Sequence, residues 1–244
     1  MSGWYGSTVR NSNACFQKPA QKGLCMNVIN LTLHGVGSPR ADSCVNERAV
    51  WLGEMQFSGI LDVVQSHENV CVTIDDGNVS DVEIVGPALK ERDLAATFFV
   101  PLLLLDRPGY LTRTGLLELR QMGFGVGSHG LRHCDWRLLD DKDLWAEVRD
   151  SRDMLEQMLG TSILTVSCPL GSYDRRVLRF LKEAGYKTVY TSDRGTASRQ
   201  AWLQARNTLR ANDDVRSVYR MLSKGPWSLD FMMCRLKTTV KRCR

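Results

Sequence analysis

Short apolar runs alternate with amphipathic stretches along most of the chain from residue 24 onward. Compact runs of apolar and β-branched residues predict buried strands, at Cys25–Leu33, Val70–Ile74, Leu94–Val100, Phe124–Gly127, Leu164–Ser167 and Lys187–Thr191. Helical periodicity and helix-end residues predict helices between most of them, at Phe57–Gln65, Ser80–Arg92, Leu116–Met122, Asp140–Leu159 and Asp174–Ala184. Ser80 and Glu83 have the spacing of a capping box. Repeated β-then-α units favour a parallel sheet, and this number of units favours a closed or nearly closed barrel.

Two adjacent aspartates follow the strand Val70–Ile74, where a parallel barrel places its reactive side chains. Asp75 and Asp76 point in different directions from an extended chain, so one carboxylate can bind a metal ion while the other faces a substrate. Gly77 allows the sharp turn that follows. Taken alone, an Asp-Gly sequence is more typical of a turn that caps the next helix.

Two histidines lie four residues apart after the strand Phe124–Gly127. His129 and His133 at this spacing share one face of a helical turn and could converge on a single ion. The chain has four histidines in all, so ligand spacing in two of them is informative. Taken alone, the pair is more often two ordinary surface or core residues.

The two sites together offer one carboxylate and two imidazoles, from Asp76, His129 and His133. Three protein ligands that leave positions for water are typical of a catalytic metal site. Such a metal lowers the pKa of bound water and polarises a carbonyl. Asp75, which is not a ligand in this arrangement, is placed to accept the water's proton.

Both segments resemble motifs of the polysaccharide deacetylase family, the carbohydrate esterases with a NodB-homology domain. Thr73-Ile-Asp-Asp-Gly77 resembles the first motif, and Ser128-His-Gly-Leu-Arg-His133 resembles the second. Leu94–Val100 resembles the strand between them, and the similarity runs from about Leu31 to about Thr191. The resemblance implies a distorted (β/α) barrel of seven strands in a single α/β domain, a divalent metal, commonly zinc, and hydrolysis of the acetamide of an amino sugar. It implies that Asp75 is the base and that the metal ligands are Asp76, His129 and His133.

The third family motif is altered in this chain. It usually reads Arg-x-Pro-Tyr or a Tyr-Pro-Tyr-Gly variant, and here it reads Ser167-Cys-Pro-Leu170-Gly. Leucine replaces the aromatic residue of the motif, but a backbone N–H does not depend on the side chain, so Leu170 could still donate to a developing oxyanion.

The fifth family motif, a Leu-x-His sequence near the C-terminus that supplies a general acid, is absent, since no histidine follows His133. Leu31-Thr-Leu-His34-Gly instead resembles a motif of the circularly permuted branch of the family. First and last strands are neighbours in a barrel, so we expect His34 to protonate the leaving amine. A structural role at the end of the strand is the alternative. Asp193, after the strand Lys187–Thr191, is expected to orient a sugar hydroxyl or to pair with Arg194.

The net charge of +5 comes from the C-terminal end of the chain, where residues 216–244 carry eight cations and Asp230 alone as an anion. A segment that combines Trp227 and Phe231 with this charge is compatible with peripheral contact to an anionic membrane. The alternative is a helix packed on the barrel with a basic end. Nucleic-acid binding is not expected, because no recognition motif accompanies the charge.

The chain thus divides into a polar N-terminal tail (1–22), a catalytic barrel (23–215) and a basic C-terminal segment (216–244). The tail lacks the apolar region of a secretory signal, which predicts a cytoplasmic location. The eight cysteines include no C-x-x-C pair and are expected to be reduced and mostly structural.

The predicted function is removal of N-acetyl groups from an N-acetylated carbohydrate, whether polysaccharide, oligosaccharide or lipid-linked glycan. Hydrolysis of a formamide or another small amide by the same site is an alternative. A carbohydrate-binding protein that has lost catalysis is a second one, although the positions of all four motif residues are intact.

Overall fold

The computed structural model describes residues 27–223 and, beyond them, Cys234, Thr238, Thr239 and Lys241. The strands in this part of the chain are β1 (Asn27–Leu33), β2 (Gly35–Val36), β3 (Trp51–Leu52), β4 (Val70–Ile74), β5 (Ala96–Val100), β6 (Gly125–Ser128), β7 (Thr165–Ser167), β8 (Thr188–Thr191), β9 (Ala197–Ser198) and β10 (Leu203–Thr208). The α-helices are α1 (Val45–Arg48), α2 (Glu54–Gln65), α3 (Gly86–Glu91), α4 (Arg113–Gln121), α5 (Asp141–Trp145), α6 (Ser151–Leu159), α7 (Arg175–Glu183) and α8 (Val215–Leu222). The predicted tail 1–22 and most of the predicted segment 216–244 lie outside the described residues.

Seven parallel strands form a closed barrel in the order β1, β4, β5, β6, β7, β8 and β10. The barrel closes because β10 pairs with β1 as well as with β8, with Asn30 opposite Arg206. Helices surround the strands, so the prediction of a seven-stranded (β/α) barrel in a single α/β domain is confirmed. The short strands β2 and β3 pair only with each other, and β9 adds an antiparallel strand to the start of β1.

The closing strand β10 was not among the predicted strands. Its sequence, Leu-Gln-Ala-Arg-Asn-Thr, has polar residues at alternate positions, so it lacks the apolar character expected of a buried strand. Gln204 and Arg206 are nevertheless buried, because the interior of the barrel supplies their hydrogen-bond partners. Asn30 on β1, for example, donates to Gln204 Oε1 at 3.1 Å.

The period-two alternation of each strand divides its side chains between the helices and the barrel interior. Val72 and Ile74 of β4 belong to the core beneath the helices, whereas Thr73 hydrogen-bonds across the interior to Thr32 of β1 at 3.0 Å. The interior is tightly filled, since a Cβ atom at Gly127 would lie 2.3 Å from the Phe99 ring. The residues that continue these strands at their carboxyl ends therefore project over the mouth of the barrel.

Two of the predicted helices begin or continue differently from the prediction. Ser80 does not cap a helix: it has helical φ and ψ angles, its side chain makes no cap hydrogen bond, and its Oγ instead accepts from the Val36 N–H at 3.4 Å. A π-helical turn, Asp81–Val85, leads into α3, and a second one, Ala146–Asp150, joins α5 to α6. Single π turns inside helices often occur at functional sites.

The C-terminal part of the described chain packs on the barrel. Val215, at the start of α8, lies close to Gly59 of α2, and the rings of Tyr219 and His67 are 6.1 Å apart. Within the residues that the structure describes, none of the helices combines the length and the hydropathy that crossing a membrane requires.

Candidate active site

The sequence-predicted residues come together at the carboxyl ends of the barrel strands. Asp75 and Asp76 follow β4, His129 and His133 follow β6, and His34 follows β1. Asp75 and His129 are buried, and Asp76 and His133 are partly exposed. This is the end of the barrel at which we expected the chemistry.

Asp76, His129 and His133 form a compact group whose ligand atoms all lie within 4.8 Å of one another. Asp76 Oδ1 is 3.1 Å from His133 Nε2 and 3.6 Å from His129 Nε2. In a tetrahedral zinc site with bonds of 2.0–2.1 Å, ligand atoms lie about 3.4 Å apart. Asp76 Oδ1 is buried and accepts no hydrogen bond from the described residues. The donor set, its spacing and this orphaned oxygen all fit a divalent metal.

The backbone around these ligands adopts conformations that L-residues seldom take. Asp76 has a φ of 78° and His133 a φ of 55°, and Gly77 at the end of the first motif has a φ of 62°. Left-handed residues other than glycine are strained and persist only where the surrounding structure fixes them. Here the strained backbone directs the two ligands toward His129.

His129 is fixed by a hydrogen bond on the far side of its ring. Its Nδ1 lies 2.8 Å from the Ser167 carbonyl oxygen at the end of β7. A donor bond from Nδ1 leaves Nε2 free to face Asp76, as is usual for a metal-binding histidine. Burial alone would raise the pKa of Asp76, but the imidazoles of His129 and His133 hold it well below its ordinary value.

Asp75 forms a bidentate ion pair with Arg206 of β10, which the sequence analysis missed. Arg206 Nη1 donates to Asp75 Oδ1 at 2.7 Å, and Nη2 donates to Oδ2 at 2.6 Å. The arginine side chain is fully buried, and the aspartate side chain is 3% exposed. Burial would raise the pKa of Asp75, but Arg206 and His129 lower it overall. Asp75 is therefore held as a carboxylate.

Further hydrogen bonds and two aromatic rings fix the position of the Arg206 guanidinium. Its Nε donates to the Thr191 carbonyl at 3.3 Å and its Nη2 to Ser167 Oγ at 2.6 Å. The rings of Phe99 and Tyr190 lie 5.5 and 5.8 Å from its central carbon. Ser167 stands where the third family motif usually has arginine, so the cation beside the base comes from a different strand.

His34 lies at the same mouth of the barrel. Its carbonyl accepts a hydrogen bond from Asn78 Nδ2 at 2.5 Å, which ties the end of β1 to the loop after β4. Its Nδ1 is buried and has no hydrogen-bond partner among the described residues. Burial lowers the pKa of His34, which favours the neutral imidazole in spite of the charges of Asp76 and Asp75.

Leu170 occupies a tight turn, Pro169–Gly171, directly after β7. Its φ of 57° is left-handed, and its side chain points largely into solvent. The N–H groups of Gly171 and Ser172 donate to the carbonyls of Cys168 and Pro169. Among the backbone hydrogen bonds of the described turns and loops, none has the Leu170 N–H as its donor.

A second missed residue, Glu147, organises the loop between the two histidines. It is fully buried in the π-helical turn Ala146–Asp150, and its Oε2 accepts from Leu131 N at 2.7 Å and from Trp136 Nε1 at 3.3 Å. Its Oε1 pairs with Arg132 Nε at 2.8 Å. A Cβ atom at Gly130 would lie 2.5 Å from Glu147 Oε2, so this close approach requires glycine.

Comparison with known proteins finds sequence similarity to polysaccharide deacetylases. A family model described as polysaccharide deacetylase matches residues 62–189. The Bacillus subtilis protein "Putative polysaccharide deacetylase YxkH" is 26% identical over 147 residues, which cover 60% of this chain and 53% of that protein. The chain thus spans about half the length of the curated relative that it matches.

Several solved structures share the fold. The deacetylase PplD of Streptococcus pyogenes, solved in complex with acetate, aligns with a TM-score of 0.73 at 19% identity, over 81% of this chain and 99% of that one. A polysaccharide deacetylase of Bacillus cereus aligns with a TM-score of 0.72 at 17% identity, over 81% and 69% of the two chains. IcaB of Ammonifex degensii aligns with a TM-score of 0.66 at 18% identity, over 82% and 98%. The resemblance to a circularly permuted branch remains a hypothesis.

Replacing Arg206 with Met should destabilise the protein by about 3–5 kcal/mol near neutral pH, because a buried carboxylate loses the guanidinium that forms two hydrogen bonds with it. The folded-state pKa of Asp75 is below its ordinary value. Ionised Asp75 therefore adds stability above that ordinary value, about pH 4, and the stability is lost as the pH falls through the folded-state pKa. Urea denaturation should show a large loss of unfolding free energy at pH 7 and a smaller loss at pH 2–3.

The matched control for this variant is Arg179→Met, which breaks an exposed pair with Glu183 on α7. Its loss should stay below about 1 kcal/mol at either pH. An equal loss for Arg206→Met at both pH values would contradict ion pairing with Asp75 as the cause.

Replacing Glu147 with Gln should weaken zinc binding about 10–100-fold, since supporting residues of this kind orient metal ligands. The amide lacks the charge that pairs with Arg132 and accepts fewer of the loop's hydrogen bonds. Competition against a chelator of known zinc affinity measures the change, with Glu118→Gln on the exposed face of α4 as control. Wild-type affinity in a folded Glu147→Gln protein would show that the loop does not depend on this carboxylate.

Proposed function

The chain belongs to the polysaccharide deacetylase family, and on that premise we propose that it hydrolyses the N-acetyl groups of an N-acetylated carbohydrate with the help of a divalent metal. One observation carries this proposal: a carboxylate–imidazole–imidazole group lies beside a second carboxylate that is held ionised and outside the group. This is the arrangement of a hydrolase that activates water at neutral pH.

The metal ligands in this proposal are Asp76, His129 and His133. Zinc suits one carboxylate and two imidazoles, and when bound it would polarise the amide carbonyl and make water more acidic. His129 and Asp76 would hold their positions before the metal arrives, because the Ser167 carbonyl and the strained loop after β4 fix them. His133, which is 23% exposed, would lie toward the substrate side.

Asp75 is the proposed general base. Asp75 Oδ2 lies 3.7 Å from His129 Nε2, so the carboxylate borders the ligand group without belonging to it. Arg206 keeps both oxygens in a fixed plane and keeps the carboxyl ionised. A base in this state can take a proton from an attacking water without first losing one of its own.

Leu170 and His34 are proposed for the other two tasks of amide hydrolysis. The Leu170 N–H, in a turn with left-handed backbone, would donate to the oxygen that gains negative charge as the carbonyl is attacked. His34 would pass a proton to the nitrogen of the leaving amine from the opposite side of the mouth; because its neutral form is favoured, it would first take up that proton, which the attacking water releases through Asp75.

The substrate proposal draws on the named relatives. The family model, YxkH, PplD and the Bacillus cereus protein are each described as deacetylases, and PplD was solved with acetate, the small product expected here. An N-acetylated amino sugar fits this chemistry best. The formamide alternative uses the same groups and differs only in the acid that is released.

Acetate release from N-acetylglucosamine oligomers tests the proposal directly. The protein should release acetate, lose activity on treatment with a zinc chelator and regain it when zinc is added. Asp75→Asn should lower kcat about 10²–10⁴-fold, because the general base is gone. Formate release from N-formyl sugars with no acetate release would favour the alternative substrate. Chelator-resistant activity would contradict the metal role.

Replacing His34 with Ala should lower kcat about 10²–10⁴-fold on an N-acetylated sugar, whose alkylamine leaving group needs a proton. The decrease in kcat should be smaller on an N-acetylated nitroaniline, because the nitroaniline leaving group depends less on protonation. His67→Ala, at the far end of α2, is the matched histidine control. Equal losses on the two substrates would contradict the role of His34 as acid.

A further inference from the structure

The C-terminal segment contacts the rim of the candidate active site through Lys241. Lys241 Nζ lies 2.6 Å from Asp193 Oδ1 and 3.5 Å from the Gly171 carbonyl oxygen, and it sits 5.2 Å from the centre of the Tyr173 ring. Tyr173 in turn donates from its hydroxyl to Asp193 Oδ2 at 2.5 Å. We call Tyr173, Asp193 and Lys241 the rim cluster. The cluster joins the loop after β7 and the loop after β8 to a residue near the C-terminus.

Asp193 depends on this lysine for its counter-charge. Its side chain is 4% exposed, and its Oδ2 already accepts from Tyr173 and from Thr191 Oγ1 at 2.9 Å. Neutral donors satisfy hydrogen bonding, but a buried carboxylate also needs a cation to offset its desolvation. Arg194, the partner expected from sequence, is exposed, whereas Lys241 makes the ion pair that the structure shows.

The rim cluster lies against the turn that carries Leu170. Leu170 and Gly171 both have left-handed φ angles, 57° and 61°. A Cβ atom at Gly171 would lie 2.7 Å from Ser192 Cβ, so the turn presses directly on the residue before Asp193. Strained backbone of this kind keeps its shape only where neighbouring contacts hold it. Lys241 supplies one such contact to Gly171 and another to Asp193.

We propose that Lys241 is a positioning residue, which holds the Leu170 turn in the conformation that presents its N–H to the substrate. Lys241 is then part of the wall of the active site. Thr238 and Thr239 of the same segment line a cavity of about 310 Å³ beside Asp193 and Thr191, which extends the contact toward β9 and β10. The expected effect on kcat rests on the proposed function, whereas the effect of Lys241 on the conformation of the Leu170 turn can be measured without any activity.

The test compares Lys241→Met and Lys241→Arg with Lys187→Met in the full-length protein loaded with zinc. Lys187 is exposed at the opposite end of β8 and serves as the matched control. Lys241→Met should speed hydrogen exchange of a peptide that contains Gly171 and Ser172, whose amides donate within the turn. It should lower kcat about tenfold, less than the full loss of an oxyanion donor, and leave KM and zinc affinity within about twofold. Lys241→Arg should keep both kcat and the exchange rate of the turn close to their wild-type values.

A double-mutant cycle with Asp193→Asn adds a second readout. If the two side chains act through each other, the double variant should lose about as much kcat as Lys241→Met alone. Unchanged exchange in the turn, a change in KM alone, or an equal effect of Lys187→Met would each overturn the proposal. A wild-type protein that releases no acetate would count against the proposed function, while the exchange measurement would still decide the role of Lys241.

Discussion

The buried pair of Asp75 and Arg206 is the interaction on which the site depends. An isolated carboxylate at this depth would tend to take up a proton, and the protonated form could not serve as a base. Arg206 prevents this with two short hydrogen bonds, while Ser167, the Thr191 carbonyl and two aromatic rings fix the guanidinium in turn. The same residue lies on the strand that closes the barrel. The architecture and the protonation state of the base therefore have a common origin.

The loops above the barrel are supported from below by helices with irregular turns. Glu147, in one π-helical turn, accepts the amides of the loop between the histidines. The other π-helical turn begins at Asp81, beneath the loop that carries Asp75 and Asp76. Four residues of the site region other than glycine have left-handed φ angles, namely Asp76, His133, Leu170 and Arg194. Such backbone is costly, and each instance has a neighbouring contact that holds it.

The sequence identified candidate site residues where they lie close together along the chain. The Asp-Asp-Gly and His-x-x-x-His segments identified the residues that the structure brings together, and alternating apolar runs predicted six of the seven barrel strands. The seventh strand was missed because its inward residues, Gln204 and Arg206, are polar, and the partners that satisfy them come from distant segments as well as from nearby carbonyls. Glu147 was missed because a glutamate within a helix is ordinarily exposed. One clue to Arg206 was present: Ser167 stands where the family usually has arginine, so the buried base needed a cation from elsewhere.

The separation of Asp75 and Arg206 along the chain, 131 residues, has a consequence for how the protein is made. The first strand of the barrel and the base leave the ribosome long before the closing strand does. Until β10 arrives, β1 and β8 each present an open edge, and the base lacks the guanidinium of Arg206. Non-local pairing of this kind is slow and leaves incomplete forms prone to self-association. The nascent chain thus acquires a sealed sheet and a charged base in one late event, and a fragment that stops short of residue 203 would acquire neither.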